Sequence, residues 1–168
     1  MANAARDPYW RAVVSVEVSA TPSQKAEIEQ TCSRCHAPMA SVAESPEGEV
    51  LHYLKQMDQQ ASLGMDGVSC TVCHQITDEG LGTDASYTGQ FKIHAQRVAF
   101  GPHADPYAMP MRQHAGYQAT EGSHILKSAM CGTCHTLITE TLNPDGTATG
   151  HSLHEQSAYL EWRNSIYN

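Results

Sequence analysis

The sequence predicts a mainly α-helical chain with extensive loops and little or no β-sheet. The first observation is a pair of helix-start signals, Thr21-Pro22 and Ser45-Pro46, in which a capping hydroxyl precedes a proline at the first helical position. The second observation is that residues 77–122 are rich in glycine, proline, aspartate and threonine and show poor periodicity. Together these features predict helices that are joined by long loops.

The predicted elements follow in chain order. The valines near the N-terminus alternate as in a strand, but Asp7-Pro8 ahead of them is a helix-start signal, so this segment is predicted to be helical. The remaining elements are a helix from Pro22 through Cys32–His36, helices over Glu47–Ala61, Ser123–Leu137 and Leu153–Tyr167, one short hairpin around Tyr87–Ile93, and a turn at Asn143–Gly146. Residues 1–168 are predicted to form a single domain.

One pattern occurs three times: Cys-x-x-Cys-His, at Cys32–His36, Cys70–His74 and Cys131–His135. This spacing is typical of c-type haem attachment. Two thiols three positions apart on a helical turn can reach the two vinyl groups of one porphyrin, and the histidine that follows can bind the iron. The pattern therefore predicts three covalently attached haems c.

The six cysteines that would attach the haems are Cys32, Cys35, Cys70, Cys73, Cys131 and Cys134, and the proximal iron ligands would be His36, His74 and His135. Zinc is a competing interpretation, but two motifs would complete one four-thiolate site and leave the third motif without a role. Zinc also gives no reason for a histidine directly after every second cysteine. Local disulfides or redox-active cysteine pairs are weaker alternatives, because redox-active pairs usually occur singly near a βαβ pattern and no such alternation is visible here. Since all six cysteines fall in the three motifs, haem is the favoured interpretation.

Composition agrees with a fold that is packed around its cofactors. Three motifs in 168 residues leave 56 residues for each haem, and the chain has only 2 phenylalanines. Porphyrin faces would then replace much of the usual side-chain core, and folding would be coupled to haem attachment. The predicted fold class is thus a haem-packed multihaem cytochrome c fold.

Charge and hydropathy limit the partners and the location. The formal net charge is −8 with neutral histidines, which disfavours nucleic acid and favours a redox partner protein with a basic docking surface. No apolar stretch approaches the ~18 residues that span a bilayer. Covalent haem attachment in bacteria takes place outside the cytoplasmic membrane, so we expect an exported protein, periplasmic or extracellular, whose signal peptide has been removed or replaced.

The chain has ten histidines, so seven remain for the three distal positions. His124 is the first candidate: it lies 11 residues before His135, and in one continuous helix the two would point about 20° apart and stand about 16 Å apart along the axis. They would then serve two neighbouring haems. His52, in the predicted 46–61 helix, is second, and His114, in a predicted loop, is third. The reserve histidines are His94, His103, His151 and His154, whereas Met109 and Met111 are expected to pack against porphyrin.

Three stretches carry a resemblance to a known group. They are Gly67–Ile76, the segment from His124-Ile125 to Ser128–Cys131, and Glu155-Gln156 with Tyr159–Ser165. In these stretches the chain resembles the multihaem c-type cytochromes related to the tetrahaem electron carrier and hydroxylamine oxidoreductase. The resemblance implies closely stacked haems and bis-histidine ligation, with His52 and His124 at matching positions. Similar proteins often carry a further motif after the last stretch, so the sequence is either a fragment of a longer multihaem protein or a small relative.

Three functions remain open at this point. The first is electron transfer by three bis-histidine, low-spin haems without bond chemistry on a substrate. The second is an oxidoreductase in which one haem has an open sixth position and acid–base groups nearby. The third is assembly with other cytochrome chains as a subunit of a haem-conducting filament or conduit. The abundance of histidine favours the first function over the second, so we expect an electron carrier rather than an enzyme.

Overall fold

The computed structural model describes residues 1–43 and 63–168, and these residues fall into two compact units. The first unit contains residues from Met1–Ser69 together with Ile138–Leu153, and the second contains Cys70–Leu137 together with His154–Asn168. The first Cys-x-x-Cys-His motif lies in the first unit. The second and third motifs lie in the second unit.

Three helices form the start of the first unit. Helix α1 covers Pro8–Ala20, α2 covers Lys25–His36 and α3 covers Pro38–Ala43. The predicted helix at the N-terminal valines is confirmed, and Asp7 caps it because its carboxylate accepts a hydrogen bond from the backbone N–H of Tyr9 at 2.9 Å. The predicted capping of α2 by Thr21 is wrong, because a 3₁₀ turn at Pro22–Gln24 precedes α2 and the side chain of Gln24 donates to the carbonyl of Gly146 instead.

The core of the first unit lies between α1, α2 and α3. Its buried side chains are Ala5, Trp10, Val14, Ala37 and Ala40, with Val18, Ile28, Cys32 and Met65 packed against them. Trp10 and Val14 are four residues apart and therefore share one face of α1. The N-terminal residues and the haem motif on α2 are thus parts of one small apolar cluster. The helix predicted over 47–61 lies outside the described residues.

The second unit consists of short elements. Helix α4 covers Cys70–Cys73, β1 covers Val98–Gly101, α5 covers Met109–Ala115, β2 covers Gln118–Glu121, and α6 covers Ala129–Gly132. Strands β1 and β2 pair in parallel, with Val98 opposite Gln118 and Gly101 opposite Glu121. The connection between them carries α5, as a parallel pair requires a crossover.

The last part of the chain forms a hairpin and a helix. Strand β3 covers Leu137–Leu142, β4 covers Ala148–Gln156, and α7 covers Ala158–Arg163. Strands β3 and β4 pair with each other. The predicted turn at Asn143–Gly146 is confirmed, since the N–H of Gly146 donates to the carbonyl of Asn143 at 2.8 Å.

The expectation of little or no sheet is wrong, because residues 1–43 and 63–168 contain two small two-stranded sheets. Strand β1 has only four residues, too few to show an alternating pattern, and its partner is distant in sequence. Strand β4 is almost entirely exposed, so it has no apolar face that could distinguish it from a loop or a helix. The predicted helix over Leu153–Tyr167 therefore shrinks to α7, and Leu153 lies in β4.

Two further predicted elements differ from the structure. The predicted hairpin around Tyr87–Ile93 is absent. Thr88 and Gly89 turn the chain there, with φ angles of 58° and 71°. In this segment only Ile93 forms a β-bridge, an isolated antiparallel one to Ile76. The helix predicted over Ser123–Leu137 is broken, with a 3₁₀ turn at Ser123–Leu126, an extended residue at Lys127 and then α6. His124 contacts the Ile76 carbonyl and Thr133 donates to the Ser86 carbonyl, so long-range contacts on both sides of Lys127 outweigh local helix propensity.

Among the helices in the described parts of the chain, none combines the length and the apolar character that crossing a membrane would require.

Candidate haem-attachment sites

Each Cys-x-x-Cys-His motif forms about one turn of helix. The first motif is the last turn of α2, and Cys32, Cys35 and His36 are all half-buried there. Ser33, between the two cysteines, is buried and donates its hydroxyl to the carbonyl of Glu29 at 2.5 Å. This hydrogen bond within the helix stabilises the turn. The thiols at positions i and i+3 lie on one side of the helix.

The second motif forms α4, and the N–H of His74 donates to the carbonyl of Cys70 at 3.0 Å. Gly67 precedes it with a φ of +58°, and a side chain there would meet the carbonyl oxygen of Met1 at 2.8 Å. Only glycine combines this backbone angle with so close an approach. The chain thus requires Gly67 for the turn that leads into the motif.

The third motif begins in α6, and the N–H of His135 donates to the carbonyl of Cys131 at 3.0 Å, as in the second motif. Thr133 is buried and donates its hydroxyl to the carbonyl of Ser86, and the carbonyl of His135 accepts from the N–H of Tyr159 at 3.1 Å. Two distant segments of the second unit therefore hold this turn in place.

The thiols of all six motif cysteines, which lie within the described residues, are not joined in disulfides. Burial raises the pKa of the Cys73 thiol, and the neighbouring Cys131 and Cys70 thiols raise it further. Cys131 belongs to the third motif, so the second and third motifs are electrostatic neighbours within the second unit.

His36 is held on two sides. Its ring stacks on the indole of Trp10 with centroids 4.6 Å apart and planes 3° apart, and its Nδ1 lies 3.4 Å from the carbonyl oxygen of Ala4. Burial lowers the pKa of His36, while the Ala4 carbonyl and the charge of Asp7 act in the opposite direction. A buried imidazole is favoured in its neutral form, which is the form that binds metal.

His74 is held by the backbone of Phe100. Its Nδ1 lies 2.5 Å from the carbonyl oxygen of Phe100, and the N–H of Phe100 donates to the carbonyl of His74 at 2.7 Å. His36 and His74 therefore both turn Nδ1 to a backbone carbonyl. A metal-binding histidine commonly donates its second nitrogen in this way, which leaves Nε2 for the iron. The two residues fit the proximal role in a haem site.

The ring of Phe100 gathers two further histidines. The His124 ring lies 4.9 Å away at 73° and the His94 ring 5.8 Å away at 77°, both edge-on. His124 is buried, with 7% of its surface exposed, and its Nε2 lies 2.8 Å from the carbonyl oxygen of Ile76. The structure thus brings His74, His94 and His124 together around Phe100, a residue that the sequence patterns did not indicate.

The other predicted distal ligands lie elsewhere. His52 is outside the described residues. His114 lies in α5 rather than in a loop, and its side chain is exposed, as are those of His103, His151 and His154. The prediction that His124 and His135 share one continuous helix is wrong, because Lys127 interrupts the helix. His124 remains a candidate ligand because it is buried, not because of its spacing from His135. Met109 and Met111 are exposed on α5.

Within residues 1–43 and 63–168, no three histidine, cysteine, aspartate or glutamate side chains cluster so that they could hold a metal ion by themselves. The thiols are instead arranged as three separate pairs, each followed by an imidazole. A porphyrin, which brings four nitrogen ligands of its own, suits such sites.

The close contact between Gly132 and Tyr159 at the third motif can be tested by mutation. A methyl group on Gly132 would lie 2.6 Å from Cδ1 of Tyr159, so the ring would have to move away from the motif. We expect Gly132→Ala to destabilise the haem-loaded protein by about 1–3 kcal/mol, as overpacking commonly does. Thermal unfolding of the holoprotein measures the loss.

Thr71→Ala is the matched control, because Thr71 holds the same position in the second motif and the change adds no atoms. In a Tyr159→Leu background the additional loss caused by Gly132→Ala should be smaller, since the two changes share one contact. Equal stability of Gly132→Ala and the unchanged protein would refute the contact.

One family model matches the chain: cytochrome c554 and c-prime, over residues 5–75. This range contains the first two motifs and less than half of the chain. No curated protein and no solved structure matches. Over this range the chain is similar to a family of c-type cytochromes, which supports haem c as the cofactor and electron transport as its use.

Proposed function

We propose that this chain is a trihaem c-type cytochrome that transfers single electrons between two partner proteins. The observation that carries the proposal is the geometry of the motifs: three helical turns each present two thiols and one imidazole. The family match reaches only the first two motifs, and the third has the same His-to-Cys backbone hydrogen bond as the second. When bound, each haem supplies a one-electron Fe(III)/Fe(II) couple.

The chain's residues bind and orient the cofactors in this proposal. Each pair of thiols forms two thioethers, and His36, His74 and His135 bind the irons from the proximal side. The carbonyls of Ala4 and Phe100 keep His36 and His74 in one tautomer and one orientation. Rigid ligands limit the structural change that accompanies each electron.

We assign His124 to the distal side of the haem at the second motif, with His52 and His114 as distal ligands of the others. The support for His124 is its burial next to Phe100, whose carbonyl holds the proximal His74 of that motif. Nε2 of His124 contacts the Ile76 carbonyl. In this ring orientation Nδ1 is the nitrogen that is left to bind a metal.

Electron transfer between haems requires short distances between them. The second and third motifs lie in the same compact unit, which favours such a short distance. The charge of the Cys131 thiol also contributes to raising the pKa of the Cys73 thiol. The haems at the second and third motifs would therefore be neighbours. Bis-imidazole ligation without a methionine thioether favours low reduction potentials.

The surface charge bears on the partners. With 18 acidic and 10 basic side chains, the chain attracts a redox partner with a basic docking surface, and salt should weaken that attraction. Because covalent haem attachment in bacteria takes place outside the cytoplasmic membrane, we propose an exported protein that is periplasmic or extracellular. We propose one trihaem domain for residues 1–168.

The ligand assignment is tested by His124→Ala. The variant should keep all three haems, since their thioethers do not involve residue 124, while one haem changes from low spin to high spin. Electron paramagnetic resonance and absorption spectra measure the change. His154→Ala, at an exposed histidine, is the control and should stay low spin. Unchanged spin states in His124→Ala would remove His124 from the ligand set.

The carrier function is tested by exogenous ligands. If every iron has two histidines, neither carbon monoxide nor nitrite should change the spectrum of the reduced protein rapidly. His124→Ala is the positive control, because it opens one position to carbon monoxide. Rapid binding of carbon monoxide to one haem of the unmodified protein would favour the oxidoreductase with an open haem instead.

A further inference from the structure

The proximal histidine of the first motif has a ring partner that differs from the ring partner of His94 and His124. The indole of Trp10 lies face to face with His36, whereas the rings of His94 and His124 meet Phe100 edge-on. Trp10 is 8% exposed and belongs to the core of the first unit. Its indole ring is therefore held in place by core packing rather than free to move at the surface.

The indole ring of Trp10 restricts the rotation of the His36 imidazole. Stacking at 4.6 Å prevents the His36 ring from turning about its Cβ–Cγ bond without colliding with the indole. The contact between Nδ1 and the Ala4 carbonyl selects one of the two flipped orientations. The imidazole plane is thus set by two independent contacts, and the orientation of axial imidazole planes governs the magnetic signature of a low-spin haem.

Trp10 also carries a polar atom without a partner. Its Nε1–H is buried and has no hydrogen-bond acceptor within the described residues. An unpaired buried donor costs about 1–3 kcal/mol, so such an atom commonly faces a ligand or a water molecule. The hydrogen-bond acceptors on the rim of a haem are its propionates.

We propose that Trp10 is a positioning residue for the haem attached at Cys32 and Cys35. Its indole face holds the plane of His36, and its Nε1–H donates to a propionate of that haem. This inference rests on the proposed function, since it requires a haem at the first motif.

Two variants separate the contributions of the ring face and the N–H. Trp10→Phe keeps an aromatic face and removes the donor, and Trp10→Leu removes both. In Trp10→Phe we expect the reduction potential of one haem to fall, because a propionate without its donor stabilises the ferric state. In Trp10→Leu we also expect the largest g value of that haem to shift or broaden. The signals of the other two haems should stay unchanged.

Trp162→Phe is the matched control, because the chain has only two tryptophans and Trp162 lies on α7 in the second unit. It should not alter the haem whose signals respond to Trp10. The mass of every variant is measured first, so that haem loss and haem perturbation are distinguished. Three attached haems with unchanged potentials and g values in Trp10→Leu would overturn the inference.

A measurement on the unmodified chain guards against failure of the variants to fold. In the ¹⁵N-labelled holoprotein the two indole N–H resonances are assigned by comparison with Trp162→Phe. The Trp10 resonance should exchange slowly with water and should shift when its neighbouring haem is reduced. A rapidly exchanging or redox-insensitive resonance would overturn the inference, whereas absence of a haem at the first motif would overturn the proposed function itself.

Discussion

Each Cys-x-x-Cys-His motif depends on one helical turn that projects two thiols to the same side and places the histidine directly after them. In the second and third motifs the histidine N–H donates to the carbonyl of the first cysteine, at 3.0 Å in both. An i to i−4 hydrogen bond of this kind holds the two thiols one helical turn apart. A helix of four residues has little stability of its own, so the surrounding chain must hold α4 and α6 in place.

That support comes largely from backbone groups. The carbonyls of Ala4 and Phe100 receive the Nδ1 atoms of His36 and His74, and Tyr159 donates its N–H to the carbonyl of His135. Backbone partners tolerate variation of their side chains, so this support has little sequence signature. The exceptions are glycines at close contacts: Gly67 needs a positive φ against Met1, and Gly132 leaves room for the Tyr159 ring.

The Cys-x-x-Cys-His pattern depends only on residues of one turn, and all three motifs fold locally as such turns. The sequence also predicts α1 and the turn at Asn143–Gly146, where Asp7 and Gly146 act through near neighbours. It fails where partners are distant in sequence: β1 pairs with β2 some twenty residues later, and Phe100 meets His74 and His124 only in the folded chain. The continuous helix expected through His124 fails because tertiary contacts on both sides of Lys127 override propensity.

The central claim is that all three turns carry a covalent cofactor, and the mass of the intact, purified holoprotein tests it most directly. The account predicts a mass that exceeds the polypeptide by three haems, together with colour that stays on the protein during extraction with acidified acetone. Fewer than three haems, colour that passes into the solvent, or zinc in place of iron in an elemental analysis would contradict it.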